Sequence, residues 1–188
     1  MDELEHSLTW ARRAYAAQDW RSAAAHFDVV PSERLTADDL AAYADAVWWL
    51  GRIEDNLRLG AAAYDAFLAE SRPADAARIA MGLGIFHWAR GDEPQGVGWL
   101  GRAARLAGGI PECPVHGYLL SFTGVEASLL AGNPAAALDA ARRVQDLGRR
   151  LDAPDVVAVG MNGEGRALLR SGHVVDGLAL LDEAMVTV

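Results

Sequence analysis

The chain has 188 residues, of which 52% are hydrophobic, and its 26 acidic residues against 17 arginines give a net charge of −9. A chain with this acidic balance is a poor binder of nucleic acid, because that binding depends on basic surfaces that neutralise phosphates. The single cysteine, Cys113, excludes an internal disulfide. No apolar run approaches the ~18 residues of a membrane span, and the acidic amino terminus does not resemble a signal peptide. We therefore expect a cytoplasmic chain that contacts neither a membrane nor nucleic acid.

Turn-forming residues divide the chain into helical stretches rich in alanine and leucine. The steps between five such turns are 33, 40, 41 and 40 residues. Periods of this size are typical of stacked helical hairpins, not of a globular enzyme core. The turns are Gln18-Asp19-Trp20, Gly51-Arg52-Ile53, Gly91-Asp92-Glu93, Gly132-Asn133-Pro134 and Gly172-His173-Val174. They predict about ten helices in five hairpins, and no alternation of apolar and polar residues predicts a strand.

Local signals predict several helix ends. Thr36 is a suitable cap for a helix whose first turn carries two aspartates, because carboxylates favour the positive end of a helix. Pro73 suits a first helical turn, as does Pro134 after the capping residue Asn133. Residues 108–117 form the one long loop that we expect, between the third and fourth hairpins.

Three motifs that suggest chemistry have simpler structural interpretations. Residues 160–165 are rich in glycine but lack the lysine and the strand-turn-helix setting of a phosphate loop, so we expect close helix packing there. Cys113 and His116 lie three residues apart, but zinc usually needs four ligands, and a loop cysteine packed under its hairpin is the alternative. Acidic pairs such as Asp38-Asp39 are expected on the solvated surface. We predict no catalytic residue, no metal site and no cofactor.

The turns resemble those of the tetratricopeptide repeat (TPR), which has a small residue between its two helices and an alanine five positions later. Ala23 and Ala137 stand five positions after Gln18 and Gly132. The remaining turns have at that position the small residues Asn56, Gly96 and Gly177. The spacing departs from the usual period of about 34 residues. The resemblance implies an all-α, right-handed superhelix in which residues 1–188 form a single TPR-like repeat domain.

The longer period is similar to that of the helical region of actinobacterial LuxR-type transcriptional regulators. The blocks that carry this resemblance are residues 165–172, residues 177–185, Trp99-Leu100 with Ala103, Arg105 and Leu106, Pro111-Glu112-Cys113, and residues 116–119. The resemblance implies a non-enzymatic sensing module whose DNA-binding domain lies outside this chain. Repeat arrays need a polar closing helix, and none precedes Val188, so we expect a fragment of a longer polypeptide.

By resemblance to the TPR, the first helix of each hairpin lines a concave face. The exposed positions on these helices mix aromatic, charged and amide side chains, which is the composition of a ligand groove. The predicted binding residues are Asp45, Trp48, Trp49, Arg78, Met81, Trp88, Phe122, Glu126, Asn162 and Arg166. The alternative is that the aromatic residues only seal neighbouring hairpins.

These features together predict a module that captures a peptide, a protein or a small-molecule effector on its concave face. Capture would expose or mask a DNA-binding domain elsewhere in the polypeptide. One alternative is a stand-alone scaffold that forms a homodimer through its open C-terminal hairpin. Another is a superhelix that binds a small molecule in its cavity.

Overall fold

The computed structural model describes residues 3–186, and these residues form helices without any strand. The chain divides into two compact units, Met1–Gly108 and Gly109–Val188. The helices of the first unit are α1 (Glu3–Ala16), α2 (Trp20–Asp28), α3 (Ala37–Trp49), α4 (Ile53–Ala69), α5 (Pro73–Ala89) and α6 (Glu93–Ala107), with a 3₁₀ turn at Ser32–Arg34. Those of the second unit are α7 (Pro114–Leu120), α8 (Ala127–Leu130), α9 (Pro134–Arg150), α10 (Pro154–Arg170) and α11 (Val174–Val186). None of these helices is long and apolar enough to cross a membrane.

The helices pack as consecutive pairs. In the first unit α1 packs on α2, α3 on α4, and α5 on α6. In the second unit α7, a π-helical segment (Ser121–Glu126) and α8 follow one another without a break and pack on α9, while α10 packs on α11. If the interrupted stretch is counted as one helix, residues 3–186 contain ten helices in five hairpins. The all-α hairpin architecture that the turn spacing predicts is therefore confirmed.

Side-chain caps begin helices where the sequence predicts them. Thr36 and Asp39 form a capping box, in which the Asp39 N–H donates to Thr36 Oγ1 (3.2 Å) and the Thr36 N–H donates to Asp39 Oδ2 (3.1 Å). The Asn133 side chain accepts a backbone N–H from the first turn of α9 at 3.1 Å. Helices α5 and α9 begin at Pro73 and Pro134, where a missing N–H costs nothing.

Every predicted turn contains one residue in the left-handed region of backbone conformation. The φ angles are +57° at Gln18, +72° at Gly51, +82° at Gly91, +70° at Gly132 and +86° at Gly172. Two further turns, which the sequence did not reveal, have Ser71 (+57°) and Asp152 (+52°) in this region. Glycine adopts this region freely and therefore marks such turns in a sequence. Ser71 and Asp152 adopt it at a cost of about 1–2 kcal/mol, and their residue types gave no comparable signal.

Each hairpin has a pair of mostly small residues located seven positions before and five positions after its left-handed turn residue. In the α5/α6 hairpin, a Cβ atom on Gly96 would lie 3.0 Å from the carbonyl oxygen of Gly84. In the α10/α11 hairpin, a Cβ atom on Gly177 would lie 2.8 Å from the carbonyl oxygen of Gly165. The backbones of the two helices therefore touch at these points. The equivalent pairs of the other hairpins are Ala11/Ala23, Ala44/Asn56 and Val125/Ala137.

The glycine-rich stretch at 160–165 serves close packing, as the sequence predicts. A Cβ atom on Gly160 would lie 2.8 Å from the backbone nitrogen of Gln145, and one on Gly163 would lie 2.9 Å from Val125 Cγ1. These contacts bring α10 against α9 and against the π-helical segment.

The predicted loop at 108–117 is shorter than expected, because its last four residues begin α7. Pro114 occupies the first turn of that helix. Cys113 caps it together with His116, whose Nδ1 accepts the Cys113 N–H at 3.1 Å and lies 3.5 Å from Cys113 Sγ. Among residues 3–186, no three histidine, cysteine or acidic side chains are grouped so that they could hold a metal ion.

Two glycines of α5 are expected to respond oppositely to alanine. A methyl group at Gly84 would lie 2.7 Å from Leu100 Cγ, whereas one at Gly82 would meet nothing within 4 Å. We expect Gly84→Ala to lower the free energy of unfolding by about 2 kcal/mol through overpacking. We expect Gly82→Ala to raise it by about 1 kcal/mol, because alanine favours helix over glycine. Urea unfolding measures both effects, and a Gly84→Ala variant as stable as the wild type would contradict the close crossing.

Candidate ligand-binding groove

A groove in the first unit lies along the first helices of its hairpins. It consists of two adjoining pockets of about 360 and about 610 Å³, which share Asp45 and Arg78. The first, here the apolar pocket, is lined by Ala44, Asp45, Trp48, Asn56, Gly60, Arg78, Ile79, Gly82, Leu83, Ile85, Phe86 and Ala89. The second, here the polar pocket, is lined by Arg12, Tyr15, Thr36, Asp38, Asp39, Ala41, Ala42, Asp45 and Arg78.

The apolar pocket combines large exposed side chains with a small-residue lining. Trp48 of α3 is 44% exposed and Ile85 of α5 is 37% exposed. Gly60 of α4 and Gly82 of α5 also line the pocket and have no side chain to fill it. The result is a recess whose apolar surface is exposed to solvent, whereas the side chains of a protein core are buried.

The polar pocket contains a buried carboxylate that the sequence analysis placed on the solvated surface. Asp39 is only 3% exposed, and the Arg12 guanidinium donates to both of its oxygens at 2.7 Å. That expectation was wrong because Asp39 faces α1 as well as its own helix start. Burial opposes ionisation of Asp39, but the hydrogen bonds from Arg12 and Thr36 outweigh it and hold the pKa of Asp39 below its ordinary value.

Tyr15 of α1 reaches across to α3 at the boundary of the two pockets. Its hydroxyl donates to Asp45 Oδ2 at 2.8 Å. Burial, followed by this hydrogen bond, raises the pKa of Tyr15 to about 12, so the phenol stays protonated and remains a donor. One oxygen of Asp45, which lines both pockets, is thereby engaged, and no described residue donates a hydrogen bond to the other.

The remaining two charges of the polar pocket differ in their pairing. Asp38 accepts two hydrogen bonds from Arg72 (2.7 and 2.9 Å), and these bonds hold its pKa below the ordinary value. Arg78 forms no ion pair and no side-chain hydrogen bond with any residue in the described range 3–186. It acts on Tyr15 and Asp38 only through its charge. The groove thus contains one guanidinium that is open to a ligand.

The structure brings three of the predicted binding residues into this groove: Asp45, Trp48 and Arg78. Trp49 instead stacks on Trp20 of α2, with ring centroids 5.8 Å apart and planes at 10°. This contact joins two neighbouring hairpins, but Trp49 is still 59% exposed and its ring lies 4.7 Å from that of Trp48, so its role in binding stays a prediction.

Met81 and Trp88 lie on α5 outside the groove. Met81 was expected to be exposed, but it is only 7% exposed because it turns into the first unit. Trp88 is 38% exposed, and its Cβ lies over Gly96, where α5 and α6 cross. The exposed position predicted for Trp88 is confirmed, and its role in binding stays a prediction.

The four other predicted residues belong to the second unit. The Arg166 guanidinium donates to both carboxylate oxygens of Glu126, with Nη2–Oε2 at 2.9 Å, and these bonds raise the pKa of Arg166. The pair joins α10 to the π-helical segment, which also contains the half-buried Phe122. Asn162 is exposed on α10. The charges of Arg166 and Glu126 thus already neutralise each other.

Sequence reasoning missed most of the groove lining, although a usable signal was present. Counting along α5 from Arg78 at helical spacing gives Gly82, Ile85 and Ala89, all of which line the apolar pocket. Tyr15 carried no such signal, because its place depends on how α1 packs beside α3.

The fold agrees with that of known TPR-like repeat proteins. Neither a protein-family model nor a curated protein matches the chain. The crystal structure of BtubC (BKLC) from P. vanneervenii matches with a TM-score of 0.65 at 12% identity, covering 97% of this chain and 78% of that one. Two structures of a kinesin light chain-like protein of Podosopora anserina with nearly identical TPR-like repeats match with TM-scores of 0.58 and 0.56 at 14% identity. They cover 100% and 98% of this chain and 96% and 94% of theirs.

At these identities the comparisons show the fold alone. The chain is similar to these proteins in its TPR-like helical repeats, as the spacing of its turns predicts. Their partners and assemblies are not carried over by the likeness.

The Arg12–Asp39 pair is expected to stabilise the first unit in a pH-dependent way. Because folding lowers the pKa of Asp39, the stabilisation is present above the unfolded-state pKa and is lost as the pH falls through the folded-state value. We expect Asp39→Asn to lower the free energy of unfolding by about 2 kcal/mol at neutral pH, through lost charged hydrogen bonds and a weakened cap. The difference from the wild type should shrink below about pH 4.

Denaturation of both proteins from neutral to acidic pH measures this effect. Asp65→Asn, at an exposed position of α4 outside the groove, is the matched control and should change little. A difference between wild type and Asp39→Asn that did not vary with pH would contradict the lowered pKa.

Proposed function

We propose that the chain is a non-enzymatic protein-interaction module whose groove binds an extended segment of a partner protein. The observation that carries the proposal is the apolar pocket, where Trp48 and Ile85 are left partly exposed in a recess. Aromatic and aliphatic side chains in such recesses are typical anchors of binding interfaces. The TPR-like fold supports the proposal, since stacked hairpins present grooves of this kind.

Gly82 gives this proposal a second support. A glycine in the interior of a helix costs about 1 kcal/mol relative to alanine. The neighbouring Gly84 is required by the crossing of α5 and α6, but no atom of the protein would exclude a methyl group at Gly82. Because Gly82 lines the apolar pocket, its missing side chain leaves space there for a ligand to approach the backbone of α5 closely.

The extent of the groove favours a chain segment over a small compact ligand. The apolar pocket, at about 360 Å³, has room for a large side chain. The polar pocket continues from it toward α1, so that the lining comes from α1, α3, α4 and α5. An extended segment would occupy both pockets at once.

The wider setting that we propose is a LuxR-type transcriptional regulator in which this module senses an effector. The support is the similarity of sequence blocks such as 165–172 and 177–185 to that group. In this setting, binding in the groove would shift the array between arrangements that expose or mask a DNA-binding domain outside the chain. Only an effector with different affinities for the two arrangements could act in this way.

A homodimer is the second function that a specific observation favours. The outer face of α11 carries Val175, Leu178 and Met185, which are 81%, 51% and 82% exposed. Within the described residues, the main packing partner of α11 is α10. A molecular mass that rises with protein concentration, and that Leu178→Asp returns to the monomer value, would support this alternative.

Blocking the groove without disturbing the fold tests the main proposal. We expect Gly82→Trp to lower affinity at least about tenfold, because the indole would fill the apolar pocket. The matched control is Gly98→Trp on α6, where an added side chain also meets open space but lies outside the groove. The probe is a linear peptide selected on the wild-type protein from a random display library. Equal binding by both variants would overturn the proposal.

The intact mass of the natural polypeptide tests the regulator setting. We expect a mass several-fold above the 20.1 kDa of this chain, because the chain would be only the repeat portion of a multidomain regulator that also contains a DNA-binding domain. Mass spectrometry of the protein immunoprecipitated from its source cells gives the answer. A mass near 20.1 kDa would contradict this setting while leaving the groove proposal to its own test.

A further inference from the structure

The charges that line the groove are mostly satisfied within the protein. Five charged side chains line the two pockets: Arg12, Asp38, Asp39, Asp45 and Arg78. Arg12 and Asp39 neutralise each other through two hydrogen bonds, and Asp38 is neutralised by two hydrogen bonds from a neighbouring arginine. This leaves one carboxylate and one guanidinium, those of Asp45 and Arg78, without an ion-pair partner in residues 3–186.

Asp45 and Arg78 occupy the same place in the groove. Both residues line both pockets, so they lie where the polar pocket meets the apolar pocket. They belong to neighbouring first helices, α3 and α5, and no nitrogen–oxygen contact within 4.0 Å joins them. A ligand that crosses from one pocket to the other therefore passes both an acceptor on α3 and a donor on α5.

A single charged group fits this place poorly. A cation drawn to Asp45 would be repelled by Arg78, and an anion drawn to Arg78 would be repelled by Asp45. A peptide group instead offers an N–H that can donate to a carboxylate and a carbonyl oxygen that can accept from a guanidinium. Hydrogen bonds to charged partners are among the stronger ones available to a main chain.

Asn56 is an independent indication of main-chain recognition. It stands at the hairpin position where the other four hairpins have alanine or glycine. Its Nδ2 donates to the Ala44 carbonyl oxygen at 2.9 Å, and its Oδ1 is left without a hydrogen bond from a described residue. The side chain lines the apolar pocket. It thus adds an uncharged acceptor where a small apolar residue would satisfy the fold.

We propose that Asp45 and Arg78 hold the main chain of the bound segment, while an uncharged apolar side chain of that segment fills the apolar pocket. The proposal rests on the groove function given above and specifies its ligand class. The ligand is an extended stretch with a leucine-, isoleucine-, methionine- or phenylalanine-like anchor and no charged residue beside it. The apolar anchor then determines specificity. The hydrogen bonds of the ligand main chain with Asp45 and Arg78 add affinity for any sequence.

The experiment starts with linear peptides selected on the wild-type protein from a random display library. We expect the selected peptides to share an apolar anchor without a neighbouring conserved charge. Asp45→Ala and Arg78→Ala should each weaken binding about tenfold or more, whereas Asp45→Asn, which keeps an acceptor, should weaken it only about threefold. Asp65→Asn is the control for loss of a surface carboxylate. Methylation of the anchor residue's backbone nitrogen should reproduce the loss seen with Asp45→Ala.

The outcomes separate this inference from the function on which it rests. One outcome would overturn only the main-chain recognition by Asp45 and Arg78. In it, Gly82→Trp blocks peptide binding, but the selected peptides share a conserved lysine, arginine or acidic residue and lose binding on Asp45→Asn. Binding unchanged by Asp45→Ala and Arg78→Ala would do the same. If free leucine or phenylalanine bound in the groove as tightly as the peptides, the groove would be a site for amino acids and not for peptide main chain. Absence of any peptide whose binding depends on Gly82 would overturn both proposals.

Discussion

The close crossing of two helices at a pair of mostly small residues is the constraint on which each hairpin depends. The pair lies seven positions before and five positions after a left-handed turn residue. Where both are glycine, as in Gly84/Gly96 and Gly165/Gly177, the carbonyl of one helix touches the other backbone. The short turn sets the angle at which the chain reverses, and the small pair lets the two helices meet at that angle. At the two glycine pairs, larger residues would force the helices apart and open the core along the hairpin.

Arginine side chains then fasten one hairpin to the next in the first unit. Arg52 and Arg72 both precede the first residue of a helix, and both donate through Nε to an aspartate three positions later, at 2.8 and 2.9 Å. Their outer nitrogens donate to carboxylates of a preceding helix, Asp28 and Asp38 respectively. These pairs are partly exposed, so each contributes modestly to stability. Their main effect is on geometry, because a planar guanidinium that bonds two carboxylates fixes the relative placement of successive helices.

Glycine turns, prolines and caps made the hairpins predictable from sequence, whereas the tertiary partners of polar residues were not. Gly91 and Gly132 indicate a left-handed turn in the sequence, because glycine alone adopts that conformation freely. Ser71 and Asp152 adopt the same conformation, but their residue types do not predict it. Asp39 was assigned to the surface because it belongs to an acidic pair at the start of a helix. It is buried because Arg12, 27 residues away, reaches it from another helix. Asp45, Trp48 and Arg78 were found because they lie on first helices, while Tyr15 depends on packing that periodicity does not describe.

The groove exists because the two requirements on a first helix are separate. One face of α5 must be small to let α6 approach, and Gly84 meets that need. Gly82, two residues earlier, faces the other way and contributes nothing to this contact, yet it is equally small. Helix propensity alone would favour alanine or leucine there. Together with the partly exposed Trp48 and with Asp45 and Arg78, which find no ion-pair partner in the described chain, this glycine leaves stability unrealised at one connected surface. A stretch of partner chain would bury the indole of Trp48, approach the backbone at Gly82 and bond both charges, and this is the physical basis for treating the first unit's groove as an interaction site.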